Sequence, residues 1–223
     1  MEVLGLMPNA SNYTFLARCT AADSAVLAIY KPRRGEIPLW DFPDGTLHRR
    51  EVAAFEVSRT LGWPNIPPTI VRDGPEGVGS AQLFVRFDPA HHYFTLEDDH
   101  ADAFRRVALF DVVVNNADRK AGHCLLGEDG RVHVIDHGVC FSTEPKLRTV
   151  IWDFAGEPIG SELLDDLARL RDELDDGPAA AALARLLDRD EVVATQERAG
   201  RLIDLARFPE PEPGTRPYPW PPI

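Results

Sequence analysis

An amide, two carboxylates and an imidazole crowd into NNADRKAGHCLLGEDGRVHVIDHG, residues 115–138, at Asn116, Asp118, His123 and Asp136. A carboxylate can accept the proton of a hydroxyl, and a carboxylate–imidazole pair can hold a divalent ion against phosphate oxygens. Together these are the parts of a phosphoryl-transfer site. The local pattern brings them together. Cys124 to Leu126 is apolar, Arg131 to Ile135 alternates polar and apolar, and Asp129-Gly130 is a two-residue hairpin signal. With Asp129 and Gly130 as the turn residues, Glu128 faces Arg131, and antiparallel counting sets His123 directly opposite Asp136. Facing residues have Cβ atoms about 4.5–5.5 Å apart, near enough to share one metal ion. Asp118 lies where the chain enters the hairpin, and Asn116 can orient that entry through its amide.

Two plainer accounts fit less well. A polar helix-to-strand turn would explain Asn and Asp, but not the aspartate on the facing strand. A zinc site could draw on His123, Cys124, His133, His137 and Cys140. Adjacent strand residues such as His123 and Cys124 point to opposite faces, however, and neither Cys-x-x-Cys nor His-Glu-x-x-His occurs.

Further upstream, Lys31 ends the strand-like run AVLAIYKP and by itself is an ordinary strand-end lysine. Glu51 gives it a second meaning. In the helical stretch 46–61, Glu51, Ala54, Val57 and Leu61 are spaced 3, 3 and 4 apart and share one stripe. A carboxylate in an apolar stripe needs a partner or a wet edge. A lysine on a strand and a glutamate on the next helix can form the ion pair that sets a lysine on nucleotide phosphates.

These residues need elements to carry them. Residues 14–19 and 25–31 read as strands joined by a turn, and PNASNY before them suits a tight loop. The helix 46–61 stops at Gly62, and two strands follow around a Gly-rich loop. From Asp98 the pattern becomes helical, breaks for the hairpin, then returns to helix with Leu163, Leu164, Leu167, Leu170 and Leu174 at helical spacing. FPEPEPGTRPYPWPPI reads as an extended tail. The expected organisation is α+β and two-lobed: residues 1–88 β-rich, 89–208 mainly helical, and 209–223 a Pro-rich tail.

The 223 residues carry a net charge of −12, which argues against nucleic acid and anionic membrane surfaces, although Arg33, Arg34, Arg49 and Arg50 could form a local basic patch. No run of 18 apolar residues and no signal-peptide pattern occurs, and three cysteines are a sparse, odd set. A cytoplasmic protein with reduced thiols is expected.

The fragments IYKP, EVAAFEVSRTLGWPNIPPT, GSAQLFV, NNADRKAGHCLL and VIDHGVCF resemble, in order, the phosphatidylinositol 3-/4-kinase superfamily. The likeness is nearest to type II phosphatidylinositol 4-kinases and small actinobacterial kinase-like proteins, and more distant to HipA-like kinases. It covers about residues 9–155. The resemblance implies an atypical two-lobed protein-kinase-like fold with ATP and Mg²⁺ or Mn²⁺ in the cleft. Lys31 would be the phosphate lysine, Glu51 its helix partner, Asp118 the catalytic aspartate and Asp136 the metal ligand. The loop Ser11, Asn12, Tyr13 and Thr14 would cover the phosphates, and Gln82 to Phe87, with Phe84 and Val85, would line the adenine. The family usually has Asn at the position of His123, and its lipid 3-kinases have His at that of Lys120. Imidazole is a softer ligand than an amide oxygen, which favours Mn²⁺. The expected activity is transfer of the γ-phosphate of ATP to a hydroxyl of protein, including this chain itself. A phosphatidylinositol kinase and a nucleotide-binding pseudokinase are the alternatives.

Overall fold

Three strands, β1 (Glu2–Leu6), β2 (Phe15–Ala21) and β3 (Ser24–Pro32), lead into helix α1 (Leu47–Leu61), and β4 (Thr69–Gly74) and β5 (Gly77–Leu83) follow as a hairpin. The computed structural model describes residues 1–8, 12–22 and 24–223. The five strands form one antiparallel sheet in the order β1-β2-β3-β5-β4. Sequence reasoning did not find β1. It is a largely exposed edge strand, bulged between Val3 and Gly5, so it lacks the buried alternation that betrays a strand.

Helix α1 starts without a side-chain cap on Thr46. The Glu36 carboxylate instead accepts the N–H groups of Leu47 (3.1 Å) and His48 (2.9 Å), a cap supplied from eleven and twelve residues upstream. It ends at Gly62, whose φ of 84° is the left-handed value that a helix C-terminus needs. Its Ala54, Val57 and Leu61 are buried as the stripe predicted, and Ala53 is buried beside them.

The helical part follows: α2 (Tyr93–Leu96), α3 (Ala101–Val113), a short hairpin of β6 (Cys124–Leu126) and β7 (Val132–Val134), then α4 (Ser161–Asp176), α5 (Pro178–Leu183) and α6 (Arg189–Leu205). Phe104, Leu109 and Phe110 of α3, Leu167, Leu170 and Leu174 of α4, and Leu202 of α6 build its core. The α1 stripe belongs to the same apolar cluster, so the helix that carries Glu51 is anchored on the helical lobe as well as under the sheet. Arg50 of α1 is buried and pairs with Glu191 of α6 while donating to the Cys140 carbonyl (2.6 Å). It is therefore a bridge between lobes and not part of a surface basic patch. The fold is α+β, with a β-rich lobe, a mainly helical lobe and a cleft between them.

The Pro-rich tail has no regular secondary structure, but it is docked. Carbonyls of Pro217 and Pro222 accept the N–H groups of Thr149 (3.0 Å) and Ala121 (2.8 Å). No helix among the described residues is long and apolar enough to cross a membrane.

Candidate functional site

A cavity of about 560 Å³ lies between the lobes. Strand pairing aims Lys31 into it: β3 is hydrogen-bonded on both sides, and alternation sends Ile29 and Lys31 to the cleft face. The Lys31 ammonium donates to Glu51 Oε1 and, at 2.9 Å, to Asp136 Oδ1. Glu51 uses its other oxygen to accept the His137 backbone N–H at 2.9 Å. One carboxylate thus positions both the lysine and the backbone beside Asp136. Burial opposes the ammonium of Lys31, yet its attraction to Asp136 and Glu51 prevails and raises the pKa above the ordinary lysine value. The same ammonium holds Asp136 well below the usual carboxylate range. Burial moves Glu51 the other way, upward, partly offset by Lys31.

Asp118 sits on the loop that follows α3. Asn116 builds that loop: its Nδ2 donates to Asp111 Oδ1 (3.0 Å) and its Oδ1 accepts the Asp118 N–H (3.0 Å). Asn116 is fully buried behind the loop, so it positions Asp118 and does not face the cleft. Burial raises the pKa of Asp118, and Lys120, 3.3 Å from Oδ2, opposes the rise.

Behind both aspartates lies Arg119, wholly buried. Its guanidinium binds the Asp111 carboxylate at 2.9 to 3.1 Å, the Ile135 carbonyl at 2.9 Å and His137 Nε2 at 2.6 Å. Arginine can only donate, so His137 Nε2 carries the lone pair and its proton sits on Nδ1. Burial and the neighbouring Arg119 charge keep His137 neutral, with its pKa well below the ordinary value. One guanidinium therefore ties helix α3, the Asp118 loop and the turn bearing Asp136. Sequence reasoning missed this hub. The available signal was Asp111, a carboxylate inside the apolar run VALFDVVV.

The hairpin corrects one expectation. Cys124 pairs with Val134, Leu125 with His133 and Leu126 with Val132, one residue out of the expected register. Gly127 and Arg131 close a three-residue loop in which Gly130 takes φ 73°. The loop is a turn closed by the Gly130 N–H on the Gly127 carbonyl (2.9 Å) and ending in that left-handed glycine, and not a two-residue Asp-Gly turn. His123 therefore lies opposite Ile135, whose N–H it accepts at 3.0 Å, and not opposite Asp136. The two side chains still meet, with His123 Nε2 3.4 Å from Asp136 Oδ2. They do so because neither lies on the ladder. His123 ends a 3₁₀ turn (Ala121–His123), and Asp136 adopts φ 62°, which swings its carboxylate into the cleft. Burial, aided by nearby cations, lowers His123 to about 4, so it presents a neutral imidazole.

The remaining expected residues line the same cavity. Asn12, Tyr13 and Thr14 border one end of it, with Asn12 Oδ1 accepting the Ile37 N–H at 2.8 Å, while Ser11 lies outside the described residues. Gln82, Phe84, Val85 and Phe87 line the opposite end with Ile29, Leu125 and Ile135. The Gln82 amide points to Thr69 Oγ1 (2.9 Å), so it supports the wall more than it addresses the cavity. Among the described residues, the Val85 N–H and carbonyl have no backbone partner. No group of three or more His, Cys, Asp or Glu side chains among the described residues is placed to hold a metal ion unaided.

Two lobes, a lysine tied to a helix glutamate, and paired aspartates across a cleft define a protein of phosphotransferase-like architecture. The comparisons carry that further. Over an alignment of 256 residues the chain is 44% identical to Protein Rv2133c of Mycobacterium tuberculosis (strain ATCC 25618 / H37Rv), covering 99% of this chain and 91% of that protein. The chain belongs to the same family as that protein. It is also 34% identical over 140 residues to phosphatidylinositol 4-kinase gamma 4 of Oryza sativa subsp. japonica, covering 51% of this chain. Phosphatidylinositol 4-kinase gamma 3 of Arabidopsis thaliana is 32% identical over 166 residues, covering 56% of this chain. The chain is thus distantly related to kinases, spanning 24% and 28% of the length of these two plant proteins. No family model matches it. Among solved structures it is similar to the Helicobacter pylori proinflammatory kinase CtkA, with a TM-score of 0.48 and 13% identity over 89% of this chain and 95% of that one.

Proposed function

We propose that this chain is an ATP-dependent, divalent-metal-dependent kinase that transfers the γ-phosphoryl group to a protein hydroxyl, its own included. One observation carries the reading: Lys31 stands between Glu51 and Asp136, in the cavity that Asp118 also enters. The cavity volume suits a nucleotide. The unpaired Val85 backbone groups offer a donor and an acceptor to an adenine edge, and Asn12 to Thr14 cover the phosphates.

Asp136 and His123 would hold the ion. An ionised carboxylate and a neutral imidazole are both competent donors. A set of only two protein ligands suits an ion that takes its other ligands from phosphate and water. The chemistry it would supply there is neutralisation of the charge that develops on the phosphate oxygens. Lys31, kept in place by Glu51, would pass from Asp136 to the phosphates. Asp118, steadied by Asn116, accepts the acceptor hydroxyl proton as the new O–P bond forms and the bond to the ADP oxygen breaks. Because Lys31, Asp118 and Asp136 are all present and converge, a pseudokinase is the weaker account. The three free cysteines support a cytoplasmic setting.

A phosphatidylinositol kinase is the second reading, favoured by the names of the plant relatives. Against it stands the net charge of −12, since a lipid kinase docks on an anionic surface. Each Lys or Arg near that surface adds about 1 kcal/mol to docking. Incubation with labelled ATP and Mg²⁺ or Mn²⁺, with phosphatidylinositol vesicles present, separates the two. Phosphoserine or phosphothreonine, absent with Asp118→Asn, is the expected product. Labelled lipid without phosphoprotein would replace the protein acceptor with a lipid.

A further inference from the structure

Among the described residues three arginines are buried, and two of them meet a carboxylate: Arg50 meets Glu191 and Arg119 meets Asp111. The third does not. Arg198 of α6, 8% exposed, donates only to neutral oxygens: the carbonyls of Val113 (2.7 Å) and Ser142 (3.2 Å) and the Thr195 hydroxyl (3.0 Å). Burial and the neighbouring Arg201 charge lower its pKa to about 10, still cationic at neutral pH. A desolvated cation without a carboxylate in contact is costly, and among the described residues Glu191 and Glu197 offset this one only at longer range.

Arg198 forms part of the wall of a second cavity, about 420 Å³, on the helical lobe. Arg148, Arg201 and Arg216 line the same space, and among the described residues none of them lies within 4 Å of a carboxylate. Glu210 and Glu212 also line the cavity without pairing to any of the four. Lys146, the other cation in the wall, is engaged by Asp41 at 2.9 Å. Four guanidinium groups without a carboxylate in salt-bridge contact therefore converge on one cavity. Trp152, Leu147 and Leu202 give the cavity an apolar side.

We propose that this cavity binds a phosphomonoester dianion carried on an apolar or aromatic body, with Arg148, Arg198, Arg201 and Arg216 as its electrostatic wall. Guanidinium forks match tetrahedral oxyanions, and one dianion answers several of them at once. The site is separate from the nucleotide cleft, since Lys31, Asp118 and Asp136 do not border it. A soluble phosphomonoester and a phosphorylated lipid headgroup present the same chemistry.

The test uses phenyl phosphate, with phenol and inorganic phosphate as controls, and phosphatidylcholine vesicles with and without phosphatidic acid. Wild type is compared with the Arg201→Ala/Arg216→Ala double variant, whose side chains are exposed, and with Lys31→Met, which alters only the cleft. Phenyl phosphate should bind more tightly than either control, and the double variant should weaken it at least about ten-fold. Lys31→Met should leave that affinity unchanged. Phosphatidic-acid-dependent vesicle binding, lost in the double variant, would assign the same site to a lipid source. Phenyl phosphate binding that survives the double variant or disappears in Lys31→Met overturns the proposal, as does no binding to either probe.

Discussion

Asp118 and Asp136 are the same residue type in one cleft, but their surroundings push them apart. Lys31 depresses Asp136, which suits a permanent anion, while burial lifts Asp118, which suits a group that exchanges protons. Their asparagine variants should therefore fail differently. Asp118→Asn should abolish transfer with nucleotide affinity nearly intact, whereas Asp136→Asn should weaken metal-dependent nucleotide binding itself. Calorimetry beside a transfer assay distinguishes them, and wild-type transfer by both would remove the assignment. The pH profile follows from the same contrast. In its proposed role as proton acceptor Asp118 would work only when ionised, and its pKa lies above the ordinary 3.8, so turnover should rise with pH through that elevated value. An acid limb at or below an ordinary aspartate would argue that another group accepts the proton.

At the level of elements, the Arg119 hub makes a stability prediction. Removing one partner of a fully buried ion pair costs about 3–5 kcal/mol, so Arg119→Met should lower urea-denaturation stability by that amount. Adding Asp111→Leu should recover much of the stability without recovering activity, because the Asp118 loop and the Asp136 turn would still have lost their common tie. Full recovery of turnover in the double variant would reduce Arg119 to a packing residue. The elements themselves were unevenly legible in the sequence. The α1 stripe, the Gly62 stop and the α4 leucines have strong helical periodicity, and each lies where that periodicity placed it. The hairpin register did not, because Asp-Gly signals both a two-residue turn and the last two residues of a three-residue one. The meeting of His123 and Asp136 survived that slip through a 3₁₀ turn and a left-handed aspartate that no periodicity reports. Arg119, Asp111 and Glu36 were invisible as a network because their partners lie in elements that only the tertiary fold brings together.

At the scale of the whole molecule, the two lobes are joined by charge as well as by chain. Lys31 reaches Asp136, Arg50 reaches Glu191, and Lys146 reaches Asp41 across the cleft. The last two contacts leave the cleft cavity untouched, but the first runs through it. Asp136 at rest thus already owns a cation. On the proposed reading a divalent ion would have to displace that ammonium from Asp136, leaving it with Glu51 alone until phosphates arrive. If the proposed ion and nucleotide both bind there, the site should behave as a logical conjunction, with neither input sufficient alone. Manganese or nucleotide added singly should shift the melting temperature little, and the pair should shift it by more than the sum of the two. Additive shifts would mean that Lys31 and the ion occupy Asp136 without competing. With competition at Asp136, a cell holding abundant free magnesium but little ATP would keep this protein in its self-neutralised form, idle without any inhibitor.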